Sequence, residues 1–479
     1  MNTSGPQPIG DHAVVIGASM AGLLAARALS DHYARVTIIE RDTLPAMGEG
    51  RRAVPQGRHA HALLASGARA IESLLPGITG ELIESGAVLC ESTREIRMVI
   101  AGHPITRDAR AADVMLASRP LIEGQVRRRV LAIGNVSVRE RCEALALLTT
   151  QGNHRVTGVR LQGQSPDGAE ESLMADLVVA ATGRDARVAT MLEALGYERP
   201  KEDHLDVDIH YVSRRIRVRP GALGPDRGVL IGAQPGQPRG LMLVEQEDHW
   251  ILTMFGYGPE HRPPMDEDGY LAFVGSVAPS DVLEAIRQAE LLTDLTTHGF
   301  PASLRRRYDR IKRFPDGLLV VGDAICSFNP LYGQGMSIAA LEALALRECL
   351  LRGEQRLARR FLRAAGKIID QAWEMAVGGD LALPEVPGHR SVVLRVSNAY
   401  AELILRAAEH DPIVAAAFSD VSDLVAPPQL ILRPAFAWRV LRESRGWTQA
   451  ASDPIPSVAH QPLVLELSRR ATKSGRTAR

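Results

Sequence analysis

The chain has 479 residues, 45% of them hydrophobic, which is ample for a buried core and excludes a disordered chain. Lys+Arg and Asp+Glu each number 56, and aromatic residues make up 4%. The neutral balance argues against a nucleic-acid or acidic-lipid binder driven by bulk charge, and so few aromatics disfavour a base-stacking platform.

In chain order, residues 1–11 are short and polar, with neither a basic nor an apolar region, so no secretory signal is expected. Residues 13–16 form an apolar run suited to a strand buried on both faces. A glycine turn follows, then a helix over 23–29, then a second buried strand over 36–39 ending in Glu40. That is one βαβ unit within about 30 residues. Residues 51–64, RRAVPQGRHAHALL, are basic and His-rich, and begin as a loop before a helix over 63–75. Residues 145–161 predict a hairpin turning at Gly152-Asn153. Another buried strand spans 177–181 and closes on Thr182-Gly183.

Between 203 and 300 the pattern changes to alternation, over 206–218 and 241–254 with a turn at Glu247-Asp248. Alternation implies an antiparallel sheet with one face covered. A buried strand returns at 318–321, followed by Gly322-Asp323 and a helix over 337–351, and the chain to about 442 is mostly helical by period. Residues 468–479 carry five basic residues and no acids, a composition expected of a disordered tail. No apolar run reaches the roughly 18 residues of a membrane span. Cys90, Cys142, Cys326 and Cys349 form no CxxC, which points to a reducing cytoplasm rather than a disulfide or zinc scaffold.

Two motifs carry chemistry. Gly17-Ala18-Ser19-Met20-Ala21-Gly22 follows the first strand as GxSxxG, with Ser19 at the usual second glycine. Gly17 permits the tight turn, a small residue at 19 lets backbone approach a pyrophosphate, and Gly22 lets helix and strand pack closely. Glu40 lies 18 residues beyond Gly22, where its carboxylate can take both ribose hydroxyls of an adenosine and repel a 2′-phosphate. The second motif runs from 318 to 337, LLVVGDAICSFNPLYGQGMS. Asp323 can bind a sugar hydroxyl, such as one on the ribityl chain of a flavin. The Pro330–Gly335 loop permits close approach of a flat ring, and the next helix aims its positive end at it. Two sugar-binding acids so far apart suit one long ligand lying extended, as FAD does.

GASMAG with IIERD, VVAATGRDAR and VVGDAICSFNPLYGQGMS, in this order, resemble the FAD-dependent aromatic-hydroxylase-type monooxygenases. RRAVPQGRHAHALL and DQAWEMAVGGD, around Trp373 and Asp380, are similar to a narrower branch, the squalene-epoxidase-like epoxidases of polyether polyketide biosynthesis. The resemblance spans roughly 12–380. It implies an α/β fold: an FAD-binding Rossmann-like (three-layer ββα) domain, an inserted antiparallel β-sheet substrate domain and a helical C-terminal region. The expected segments are 12–202 and 301–350 for the FAD domain, 203–300 for the substrate sheet, 351–445 for the helical region and 446–479 for the tail. By the same resemblance, Gly17, Ala18, Ser19, Met20, Ala21, Gly22, Glu40 and Arg41 hold the ADP half of FAD. Arg52 and Arg119 contact its phosphate or ribityl region, and Asp323 takes the ribityl chain. Pro330, Gly333, Gly335 and Met336 face or back the isoalloxazine. The implied reaction is flavin reduction, O2 addition to the reduced flavin to give a C4a-hydroperoxide, and transfer of its distal oxygen to an apolar polyketide or terpenoid-like intermediate, as in antibiotic biosynthesis.

That chemistry asks the protein to orient substrate, exclude water and stabilise the reduced ring rather than to supply an acid/base set. Accordingly the sequence shows no certain catalytic residue, no hydrolase elbow, and no HExxH or CxxC metal set. Absence of an obvious base leans toward alkene epoxidation over aromatic hydroxylation. Where the hydroxylases carry an Asp-Gly pair, this chain has Thr182-Gly183, so NADH or NADPH delivers electrons either directly or through a separate flavin reductase. A reductase or dehydrogenase of geranylgeranyl-reductase type and a non-catalytic FAD-binding protein stay open. The halogenase Trp-x-Trp signature is absent. His59 and His61 are read as structural neighbours of the flavin, Arg51 as a phosphate partner or a solvated loop residue, and Cys326 as a buried small hydrophobe. Trp250 fits either pocket lining or sheet core, and residues 394–408 fit core packing better than membrane-surface binding.

Overall fold

The computed structural model describes residues 8–46, 48–51, 55–163 and 169–444. Arg52 and the expected tail fall outside these. Strand β1 (Gly10–Ile16) lies at the middle of a five-stranded parallel sheet, in the order Leu318–Val320, Leu177–Ala180, β1, β2 (Tyr33–Ile39), Val136–Arg139. Its strands are apolar without alternation because both faces are covered. Helix α1 (Met20–Ser30) packs on one face with the helices Gly335–Leu350, Arg119–Leu131 and Leu357–Asp380. A three-stranded antiparallel meander, Cys142–Thr149, Val156–Gly163 and Glu170–Met174, covers the other. Its first hairpin turns at Gly152 and Asn153, both with positive φ. This is the expected sheet-on-sheet-on-helix arrangement.

The alternating middle of the chain builds a second, nine-stranded sheet. Its order is Cys326–Ser327, Thr296–Arg306, Glu202–Arg217, His249–Tyr257, Arg239–Gln246, Gly228–Ile231, Ile96–Ile100, His103–Pro104, with Glu290–Leu291 paired to the long Glu202–Arg217 strand. The turn between Arg239–Gln246 and His249–Tyr257 falls at Glu247-Asp248, where Glu247 has φ 42°. Successive side chains of a strand point to opposite faces, and here the two faces do different work. Leu241, Leu243, Leu252 and Met254 pack under the helices Glu267–Val277 and Ser280–Arg287, and Trp250 joins them at the sheet core. Met242, Val244, Thr253 and Phe255 point the other way, into a cavity.

The helices Val392–Ala408, Pro412–Ser422 and Pro434–Glu443 share a core with Ile105 and Ala109. The C-terminal half of the first buries Ile404, Leu405, Ala407 and Ala408, while its N-terminal half carries Val393 and Leu394 along the cavity. Among the described residues no helix is long and apolar enough to cross a membrane.

The β1–α1 turn is held by backbone proximity. Gly17 has φ 107°, donates its N–H to the Ile39 carbonyl at 2.8 Å, and leaves no room for a Cβ beside the Ala181 carbonyl. A Cβ on Gly22 would stand 1.8 Å from the Gly17 carbonyl oxygen. Gly22→Ala must therefore separate α1 from β1, and overpacking at this scale costs about 3 kcal/mol. Urea unfolding of the variant is expected to show a midpoint lowered accordingly; a wild-type midpoint would refute this account of the turn.

Candidate functional site

A single cavity of about 1710 Å³ runs through the molecule between the two sheets and the helical C-terminal region. Gly17, Ala18, Ser19, Met20 and Ala21 line one end together with Glu40 and Arg41. Arg119, Arg184 and Asp323 line its middle, and Pro330, Gly333, Gly335 and Met336 follow. Residues as far apart in sequence as Gly17 and Met336 are thus brought to one surface, because β1 and Leu318–Val320 end at the same edge of the parallel sheet. Gly22 is buried behind the turn and does not reach the cavity.

The Glu40 end is a network of paired charges. The Glu40 carboxylate accepts from the Ala18 N–H at 2.9 Å and the Asp42 N–H at 3.0 Å, and pairs with Arg51 at 2.6 Å. Arg51 also donates to the Ala18 carbonyl and to Glu123. Its side chain is only 7% exposed, so it is neither a solvated loop residue nor free. Burial opposes its charge, but Glu40 and Glu123 more than compensate and raise its pKa. Arg119, the first residue of its helix, donates to Ser19 Oγ and to Glu123, and Ser19 Oγ donates to the same carboxylate. Glu123 escaped the sequence reading because it sits inside an ordinary helix; the fold alone places it between two arginines.

Asp323 faces the cavity with its carboxylate exposed there, yet the surrounding protein pushes its carboxyl above the usual range, against the pull of Arg119 and Arg184. Directly behind it, Glu342 accepts the Gly322 N–H at 2.7 Å, and burial pushes its carboxyl up to about 8. Its other oxygen has no partner. A glutamate on the inner face of an otherwise apolar helical stretch, LEALAL, was the signal for it. Cys326 is buried, and burial raises its thiol pKa.

At the Gly335 end the imidazoles and phenols are held neutral. His59 Nδ1 lies 2.7 Å from Ser213 Oγ, which is in turn 2.7 Å from Thr253 Oγ1. The His59 ring sits 5.6 Å from that of His298 and 5.9 Å from that of Tyr211. Burial first, then His298, His61 and Arg58, pushes His59 down to about 3. Burial and Arg119 push His61 down to about 4. Tyr211, Tyr257 and Tyr332 line the cavity with phenol groups raised well above the ordinary tyrosine range, burial being the largest cause. Their hydroxyls run to Asn329 and Asp380; the 318–337 motif contains Asn329 and Tyr332 and the family resemblance contains Asp380, but only the fold joins them in one buried cluster with Tyr211 and Tyr257.

Two observations bear on whether one long nucleotide fits. The Glu40 and Gly335 ends open onto the same cavity. At Gly183 and Gly335 a Cβ would meet nothing within 4 Å, so the backbone there faces open space that a flat group can approach. Glu40 keeps acceptor capacity beyond its present partners, since a carboxylate offers about four lone-pair sites. These residues fit an extended dinucleotide of the FAD type. Among the described residues no cluster of His, Cys, Asp and Glu could hold a metal ion.

His59 gives a pH test. Its folded pKa lies below the unfolded 6.5, so unfolding takes up a proton as the pH falls from 6.5 toward 3, and the stability its burial permits is lost over that window. Each such proton contributes a slope of about 1.4 kcal/mol per pH unit. Urea unfolding at pH 4 to 7 should show His59→Gln losing stability less steeply than wild type by up to that amount; parallel curves would contradict a buried neutral imidazole.

A family model described as FAD binding domain matches residues 12–359. A Mycobacterium tuberculosis protein designated Rv3254 is 38% identical over 420 residues, covering 85% of this chain and 88% of that protein. Kynurenine 3-monooxygenase of Salinispora tropica is 24% identical over 71% of this chain and 72% of the relative. The crystal structure of p-nitrophenol 4-monooxygenase from Pseudomonas putida superposes with a TM-score of 0.62 at 16% identity, over 87% of this chain and 99% of that one. The chain belongs to the FAD-binding-domain family of aromatic-hydroxylase-type monooxygenases and is an FAD-binding enzyme of that kind.

Proposed function

We propose that the protein inserts one oxygen atom from O2 into a large apolar polyketide or terpenoid-like intermediate, by alkene epoxidation. The observation that carries this is the cavity. At about 1710 Å³ it exceeds the roughly 300–1,000 Å³ of a single ligand pocket. Beyond the Gly333–Gly335 loop its walls are Met98, Leu230, Met242, Phe255, Phe300 and Val377. The room past a bound dinucleotide is therefore shaped for a second, apolar molecule.

In this reading the turn from Gly17 to Ala21 presents backbone amides to the pyrophosphate, with Gly22 holding α1 close behind it. Glu40 takes the ribose hydroxyls, with Arg41 alongside and Arg119 toward the phosphates; Arg52 lies outside the described residues. Asp323 orients the ribityl chain. Pro330, Gly333, Gly335 and Met336 back the ring, and the N-terminus of the Gly335–Leu350 helix stabilises negative charge on it. When bound, FAD supplies the oxidising chemistry after reduction by NADH or NADPH. Thr182 in place of an Asp supports delivery through a separate flavin reductase. The protein's own part is to place an alkene against the ring face and keep water out.

The ionisable side chains at the ring end favour epoxidation. Burial leaves the neutral His59 imidazole too weakly basic to take a phenol proton and keeps Tyr211, Tyr257 and Tyr332 protonated, whereas an alkene needs no base. The PQGRHAH segment carrying His59 and His61 supports placement in the squalene-epoxidase-like branch. Aromatic hydroxylation is the second reading, favoured by the likeness to kynurenine 3-monooxygenase. The four cysteines, all buried and free, suit a reducing cytoplasm.

Purified protein should be yellow. Incubated with NADH, a flavin reductase and a polyene, it should yield a product one oxygen heavier, with the oxygen label coming from 18O2. Oxygen-independent reduction of the substrate would support a dehydrogenase instead, and hydrogen peroxide with no oxygenated product from any alkene or phenol would defeat the proposal.

A further inference from the structure

Beneath the Pro330–Gly335 loop lies a fully buried carboxylate that no step above uses. Asp380 ends the Leu357–Asp380 helix, and its Oδ1 accepts three hydrogen bonds: from Asn329 Nδ2 at 2.8 Å, Tyr257 OH at 3.1 Å and Tyr332 OH at 3.1 Å. Its Oδ2 is buried with no partner. Asn329 caps the Pro330–Tyr332 turn, accepting the Leu331 N–H at 3.1 Å and the Tyr211 hydroxyl at 2.9 Å on Oδ1. Its own N–H donates to Ser303 Oγ at 3.2 Å. Gly379 is required beside the cluster, since a Cβ there would stand 2.3 Å from the Tyr332 hydroxyl. Both ends of the loop's first turn, Asn329 and Tyr332, are thereby tied to one oxygen atom of one acid.

We propose that Asp380 is a positioning residue for the ring end of the cavity: its carboxylate fixes the Asn329–Gly335 loop, and gain of a proton at this carboxyl changes the loop's geometry and so the setting of the flavin. This rests on the FAD reading of the cavity given above. A charge with one fully engaged and one empty oxygen is poised between two states. Ionised, it is stabilised by three donors; protonated, it no longer pays for burial but offers those donors less. The balance places its pKa at about 6, raised by burial and drawn back by Asn329, Tyr257 and Tyr332. The titratable groups facing it are the phenols of Tyr211, Tyr257 and Tyr332, which stay protonated at any working pH. Arg390, at the same helix end, spends its guanidinium on the carbonyls of Leu381, Leu383, Val386 and Gly388. Asp380 is therefore the group in this cluster that changes charge near neutrality.

The test uses full-length protein loaded with FAD. The visible spectrum of the bound oxidised flavin is followed from pH 5 to 8, together with Tm at each pH. Wild type is expected to show one spectral step near pH 6. Asp380→Asn keeps the acceptor oxygen and should bind FAD without the step, with its Tm relative to wild type rising as the pH passes upward through 6. Tyr332→Phe removes one donor to the carboxylate and should move the step about one unit higher, which decides the matter even where Asp380→Asn does not fold. Flavin bound with no step in wild type, or a step unmoved by Tyr332→Phe, overturns the role of Asp380 and leaves the FAD reading intact. Failure of wild type to bind FAD overturns both.

Discussion

At the start of α1 two glycines bring three backbone segments closer than any side chain would allow. The Gly17 carbonyl rests where a Cβ of residue 22 would be, and the Ala181 carbonyl rests where one of residue 17 would be. Because of this contact β1, α1 and the strand Leu177–Ala180 converge on one point, with Glu40 beside it at the end of β2. The Glu40 end of the cavity is therefore made largely of backbone. Its side chains are recruited around that frame: Arg51, Glu123 and Arg119 form a chain of paired charges that reaches the buried Glu40.

The two ends of the cavity follow opposite electrostatic rules. Near Glu40, charges are buried in alternating pairs, which is how ionised groups are kept in a low-dielectric interior. Near Gly335, burial leaves the lining imidazoles and phenols neutral, and the one carboxylate beneath the loop, Asp380, is held by hydrogen-bond donors rather than by an opposite charge. A polar, ionised half suits a phosphate-bearing ligand, and a neutral half suits a flat ring and an apolar partner. The change from one rule to the other occurs at Asp323, whose carboxyl feels both the surrounding protein and two arginines.

The parts legible in the sequence were those written in local pattern. Residues 13–16, 36–39, 177–181 and 318–321 showed as largely apolar runs because both faces of the parallel sheet are covered, and the alternation within 206–218 showed because that strand alternates between buried and more open positions over 206–211, whereas 241–254 is buried or half-buried on both faces outside its turn and does not alternate as expected. The Gly17 and Gly333 turns were readable because only certain residues tolerate their backbone angles. Contacts between distant segments were not readable. Nothing local marks Ile96–Ile100 as a strand of the second sheet, His298 as a neighbour of His59, or Asn329 as the link between Tyr211 and Asp380. Each depends on which elements the topology brings side by side.

The parallel pairing of Ile96–Ile100 with Gly228–Ile231 has an evolutionary and engineering corollary. The large sheet is stitched through the first third of the chain and again at Cys326–Ser327, so it is no cassette. Grafting residues 202–306 from a relative would leave the recipient's own 96–104 hairpin at one border and its 326–327 bridge at the other. Chimeras that exchange all three segments together preserve both seams, and recombination confined to the central block breaks them.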